Sequence, residues 1–158
     1  YCSIRRWRMI HIRRLRHVGI VVKDLDVMLD FYTRVLGFEV RRSVYNDSDE
    51  FRKGLRMPEA FARVVHLGWD AADAELELFE FSGGRRDNNG AGIVDMPGYR
   101  HLAFTVSDID QACRVLREYE IDLFSDPVTV SRPVNAAGIR FVYFRDPEGN
   151  IIELNQLP

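Results

Sequence analysis

The apolar positions of this chain fall into short alternating stretches at 15–22, 38–44, 62–69, 75–81, 101–106, 139–145 and 150–155, the spacing of strands with one buried face. Helical spacing occurs after Asp24–Asp26, where Val27, Leu29, Phe31, Tyr32, Val35 and Leu36 share a face, and again over 109–119. Asp24 or Asp26 can cap the first helix by accepting from its free N–H groups, and Gly37 is placed to stop it. Residues 46–57 read as polar and irregular, with Pro58 keeping Met57 extended. A further strand is expected near 121–124, and the Asp146-Pro-Glu-Gly run makes the turn before the last strand.

The order strand, helix, three strands therefore occurs twice. The repeat is visible residue by residue: His-Val-Gly-Ile-Val-Val-Lys-Asp-Leu-Asp at 17–26 and His-Leu-Ala-Phe-Thr-Val-Ser-Asp-Ile-Asp at 101–110. The expected organisation is a basic extension at 1–14, a first βαβββ module at 15–81, a linker at 82–98 with the loop-like 83–92 run, and a second module at 99–158. The fold class is α+β. A four-stranded curved sheet with one helix cannot bury both faces alone, so the two modules should pack together, and the expected result is a curved, half-barrel mixed sheet around a shared site.

Composition narrows the function. At 158 residues with 46% hydrophobic content, the chain is one domain's worth or two small modules sharing a core. A net charge of −2 provides no global field for nucleic acid. No apolar run approaches the roughly 20 residues of a membrane span. Cys2 in the tail and Cys113 in a helical pattern make no disulfide framework, so a cytoplasmic setting is expected. Arg5, Arg6, Arg8, Arg13, Arg14 and Arg16 form a basic extension without acidic residues, read as a short lead-in, with Met9 a candidate natural start. His11 belongs to that tail, and Arg85, Arg86 and Arg100 read as solvated loop residues able to meet anionic groups at a site mouth.

The chemistry sits at matched positions of the repeat. His17 and His101 open their strands, and Glu77 and Glu153 follow 60 and 52 residues later, each between two aliphatic residues. A carboxylate inside an apolar strand is costly unless it is paired or holds a cation. Two imidazoles with two carboxylates suit one divalent ion, with Ni, Co or Zn first and Fe or Mn also compatible, and the absence of thiolate argues against a closed structural zinc site. Four protein ligands leave an octahedral ion two positions for a small-molecule substrate with vicinal oxygens. Glu75 shares the face of Glu77 and stays possible; Glu80 is expected on the solvent side, and His66 as a packed strand residue.

These segments, together with Phe31-Tyr-x-x-Val-Leu-Gly-Phe38, Glu77-Leu-Phe-Glu80 and Asp146-Pro-Glu-Gly-Asn-Ile-Ile-Glu-Leu154, resemble the vicinal oxygen chelate superfamily from His17 to Leu157. That group contains glyoxalase I, methylmalonyl-CoA epimerase, extradiol dioxygenases and antibiotic-resistance proteins. The resemblance implies metal ligands at His17, Glu77, His101 and Glu153, a set most like bacterial glyoxalase I and close to the epimerase pattern. It implies a lyase or isomerase that stabilises an enediolate, with Glu153 as general base and Glu77 as second candidate. The family's epimerases use a second acid/base on a module-one strand, where only His66 is polar. Two alternatives follow from the same family: an Fe(II) extradiol-type dioxygenase using His17, His101 and Glu153, and a non-catalytic, antibiotic-sequestering binder. A homodimer is expected, because curved sheets of this kind leave apolar edges for a second copy; no nucleic acid or membrane partner is implied.

Overall fold

The computed structural model describes residues 10–69, 74–84, 87 and 92–158. Its elements are β1 (His17–Val21), α1 (Leu25–Asp30, continued as a π-turn over Phe31–Val35), β2 (Glu39–Asn46), α2 (Asp49–Leu55), β3 (Ala62–Gly68), β4 (Glu75–Phe81), β5 (His101–Thr105), α3 (Ile109–Glu118), β6 (Val128–Thr129), β7 (Arg140–Arg145) and β8 (Ile151–Gln156). The strands form two four-stranded sheets of equivalent order, β1-β4-β3-β2 and β5-β8-β7-β6. In each, the first strand runs parallel to the last and the other pairings are antiparallel. Tandem βαβββ modules in an α+β architecture are thus the observed fold.

The helix starts repeat as well. Asp24 accepts from Asp26 N and Val27 N, while Asp108 accepts from Gln111 N. A side chain from the last strand of the same sheet adds a second acceptor: Glu80 Oε1 takes Leu25 N at 3.2 Å, and Gln156 Oε1 takes Ile109 N at 2.9 Å. Glu80 is therefore not the solvent-facing residue the sequence led us to expect; it is half-buried on the helix side and also pairs with Arg63 at 3.2 Å. Gly37, at φ +73, ends the π-turn as expected.

Two further elements depart from expectation. Residues 49–55 form α2, capped by Ser48 Oγ accepting from Phe51 N, with Asp49 and Glu50 in its first turn and Arg52 and Lys53 in its last. This helix buries no residue, so no apolar stripe marked it in the sequence. The strand expected at 121–124 is reduced to one bridge, Leu123 to Phe144, and the sheet-edge strand is β6 instead. Residues 70–73 and most of the glycine-rich run lie outside the described residues, as does Cys2.

Strand alternation divides each sheet into two faces. Leu76 and Leu78 of β4, with Ile152 and Leu154 of β8, turn toward the helices. They join Leu25, Met28, Phe31 and Tyr32 of α1 and Ile109, Cys113 and Leu116 of α3 in one core cluster that spans both modules. Phe38 meets Phe104 edge-on at 5.5 Å, and Trp69 meets Phe104 at 5.2 Å. The buried Tyr32 hydroxyl donates to Asp146 Oδ2 at 3.3 Å, and Lys23 N and Asp24 N donate to Glu148 Oε1 at 2.7 and 2.8 Å. Cys113 is a buried free thiol, and no helix among the described residues is long and apolar enough to cross a membrane.

Asp146 is the polar pin of this joint. It is 4% exposed and accepts from Glu148 N, Asn150 N, Asn150 Nδ2 and Tyr32 Oη. Burial pushes its carboxyl above the ordinary value, more than these hydrogen bonds pull it down. Asp146→Ala is expected to cost about 2–4 kcal/mol in urea unfolding, since it leaves several buried donors unpaired. The folded state binds this proton more tightly than the unfolded one. The group's contribution is therefore fully present below the unfolded value and declines as pH rises through the folded one. The penalty of Asp146→Ala should then be larger at about pH 4 than at pH 8; equal penalties would contradict the burial argument.

Candidate metal centre

The faces turned away from the helices carry the chemistry. On β1 the outward residues His17, Gly19 and Val21 are all exposed, and on β5 so are His101, Ala103 and Thr105. Register places Gly19 beside Glu77 and Ala103 beside Glu153. Small residues at these two positions leave open the space next to each carboxylate; a Cβ at Gly19 would come within 3.3 Å of the Phe79 ring.

Each sequence-predicted pair is brought together. His17 Nδ1 lies 3.2 Å from Glu77 Oε1, and His101 Nε2 lies 3.2 Å from Glu153 Oε2. Adjacent ligands of an octahedral ion with bonds near 2.1 Å stand about 3.0 Å apart, so both pairs fit a divalent ion as well as they fit a hydrogen bond. The two pairs do not meet each other within the chain: among the described residues no group of three ligand atoms within 4.8 Å joins them.

Their separation follows from the strand directions. The end of β1 reaches Glu148, just before β8, and β8 begins opposite His101. His17 stands at the other end of β1, roughly 13 Å of strand away at about 3.3 Å per residue. Both histidines line a groove of about 530 Å³ between β1 and β5.

Register also brings to the carboxylates His66, expected only as a packed strand residue, and Tyr143, for which no role was expected. His66 is the direct cross-strand partner of Glu77, and Tyr143 is the equivalent partner of Glu153. His66 Nδ1 is 3.0 Å from Glu77 Oε1 and 3.2 Å from Glu75 Oε2, so His66 is more than a packed strand residue. His66, Glu75 and Glu77 could together offer three ligand atoms within 4.8 Å. Two guanidinium groups occupy their flanks, however: Arg42 Nη2 is 2.8 Å from His66 Nε2, and Arg16 Nη1 is 3.1 Å from Glu75 Oε2. Desolvation draws the Glu75 carboxyl upward, but the His66 hydrogen bond and the Arg16 charge outweigh it and hold it below the ordinary value. Alternation alone put Glu75 and Glu77 on one face; only the hairpin register, which depends on the turn, could bring His66 to them.

In the second module the phenol of Tyr143 is pushed up to about 12, by burial first and then by its hydrogen bond to Glu153 and that carboxylate's charge. It is a donor to Glu153 throughout the neutral range. Its ring also meets His101 edge-on at 5.5 Å.

A family profile for the glyoxalase/bleomycin resistance protein/dioxygenase superfamily matches residues 14–154. The chain belongs to this superfamily. It is 34% identical over 149 residues to a 2-epi-5-epi-valiolone epimerase of an Actinomyces species, covering 91% of this chain and 79% of that protein. To the human mitochondrial methylmalonyl-CoA epimerase it is 27% identical over 149 residues, covering 92% and 75% respectively. Among solved structures, a glyoxalase family protein from Bacillus cereus superposes with a TM-score of 0.81 over 94% of this chain and 96% of that one, at 21% identity, a likeness of fold.

In metal-free protein, Tyr143 is expected to remain a phenol at about pH 11, read by NMR of ring-labelled tyrosine and assigned with Tyr143→Phe. Glu153→Gln should lower its titration point yet leave it above 10, because burial is the larger cause. A full return to 10 would mean the carboxylate, not burial, dominates.

Proposed function

We propose that this member of the superfamily is a divalent-metal-dependent isomerase of the epimerase or glyoxalase I type, acting on a small carbonyl compound with a neighbouring oxygen. The observation that carries the reading is the presence of two equivalent His–Glu pairs, each with its ligand atoms 3.2 Å apart on an open sheet face. Two epimerases among the relatives favour proton abstraction and return at carbon over oxygen insertion. The extradiol reading leaves Glu77 without a role, and the sequestering reading leaves both pairs without one.

His17, Glu77, His101 and Glu153 would hold the ion, with Ni, Co or Zn suiting the donor set first. When bound, it would supply Lewis acidity that stabilises the negative charge of an enediolate. Glu153 takes the proton from carbon as general base, and Tyr143 donates to Glu153 to hold it in place. Delivery of a proton to the opposite face of the same carbon would invert that centre; delivery to the neighbouring carbon would isomerise the substrate.

A homodimer completes the site in this reading. Among the described residues of one chain the two pairs join in no common ligand group, whereas two copies can set the first-module pair of one against the second-module pair of the other. Cytoplasmic residence fits the buried free thiol of Cys113.

Elemental analysis of protein purified without chelator is expected to give about one divalent ion per chain, lost in His101→Ala. With hemithioacetals, acyl-CoA epimers and α-hydroxy ketones in deuterated water, the loaded protein should exchange the carbon-bound proton, and Glu153→Gln should slow exchange about 10²–10⁴-fold. No ion above background, even after soaking with Ni²⁺, Co²⁺ and Zn²⁺, would sink the reading.

A further inference from the structure

Arg42, His66, Glu77 and Gly19 lie in one row straight across the first sheet. Arg42 is the register partner of His66, His66 of Glu77, and Gly19 of Glu77. The row runs from the exposed Arg42 on β2, through the buried His66 on β3, to the buried Glu77 on β4.

The hydrogen-bonding chemistry of the row has a direction. Nδ1 of His66 faces two carboxylate oxygens, at 3.0 and 3.2 Å, and these only accept, so the ring proton belongs on Nδ1. Arg42 has only donors and leans over the ring face, 2.8 Å from Nε2 and 3.3 Å from Nδ1, so its positive charge lies closest to Nε2. A metal ion on Nδ1 would require the proton to move to Nε2, against the guanidinium. His66 is thus built to donate to Glu77.

The equivalent row of the second sheet is different. Tyr143 stands where His66 stands, opposite Glu153, and offers a neutral hydroxyl. The short edge strand β6 pairs with Phe141 and Arg140 and contributes no partner at the level of Tyr143. Glu77 is therefore backed by an imidazole and a fixed positive charge, and Glu153 by a phenol alone.

We propose that Arg42 and His66 are positioning residues that hold Glu77 as a permanent metal-holding carboxylate, Arg42 acting through His66. This rests on the metal-dependent reading above. Outer partners that orient a metal-holding side chain typically contribute about 10–100-fold in metal affinity. Their loss should leave the ligand set itself unchanged.

The test is Co²⁺ titration of the full chain followed by visible absorption, which reports affinity and coordination separately. His66→Ala and Arg42→Ala should each weaken Co²⁺ binding about 10–100-fold with band position and stoichiometry unchanged. The double variant should be no weaker than His66→Ala, and His66→Gln, which keeps an N–H donor, should recover part of the loss. Arg42 is exposed, so its variant tests the row even if replacing the buried His66 impairs folding. A shifted band or a lost ion in His66→Ala would make His66 a ligand and overturn the proposal. Unchanged affinity in Arg42→Ala would overturn it too, with the metal-dependent reading intact. Absence of Co²⁺ binding by the wild-type chain would overturn both.

Discussion

A carboxylate at the centre of an apolar strand sets the terms for the rest of this structure. Glu77 is 8% exposed and sits between Leu76 and Leu78, whose side chains enter the core on the other face. Such a group is tolerable only when donors or a cation satisfy it. The neighbouring strands supply the donors, His17 from β1 and His66 from β3. The same alternation that buries the leucines fixes the carboxylate on the open face, so core packing and the chemical site come from one strand pattern.

Duplication then sets the symmetry, and departures from it divide the labour. The helix caps are equivalent in the two halves, down to Glu80 and Gln156 accepting the first helical N–H. The His–Glu pairs stand at matched positions, though His17 approaches by Nδ1 and His101 by Nε2, and the small residues beside each carboxylate match too. The cross-strand partners are not: an imidazole backed by arginine faces Glu77, while a phenol faces Glu153. Two chemically identical side chains thereby have different neighbours, and the proposed division between a holding and a proton-moving carboxylate rests on that difference.

Much of this was legible in the sequence because it is local. The repeat at 17–26 and 101–110, the aspartate caps and the matched histidines and glutamates each depend on a few consecutive residues and on strand periodicity. The partners His66 and Tyr143 were not legible, since they depend on how two hairpins register, and a shift of one residue would turn each to the opposite face. Helix α2 escaped because it has no buried stripe, its one ring contact being Phe51 stacked on Phe81, although Ser48 and the charges of its two end turns carry its signals. The mutual placement of the modules was hidden as well. It depends on Phe38, Trp69 and Phe104 and on the Tyr32–Asp146 contact, none of which has a sequence period.

The central claim is that each chain carries two half-sites which complete one another between copies. Co-refolding a His17→Ala, Glu77→Gln chain with a His101→Ala, Glu153→Gln chain tests it most directly, because neither chain alone retains both pairs. If the halves complement across chains, mixed dimers should regain divalent-metal binding at one of their two sites, while each variant alone stays unloaded. Mixed dimers that form yet bind no metal would contradict the claim and place the whole site within one chain.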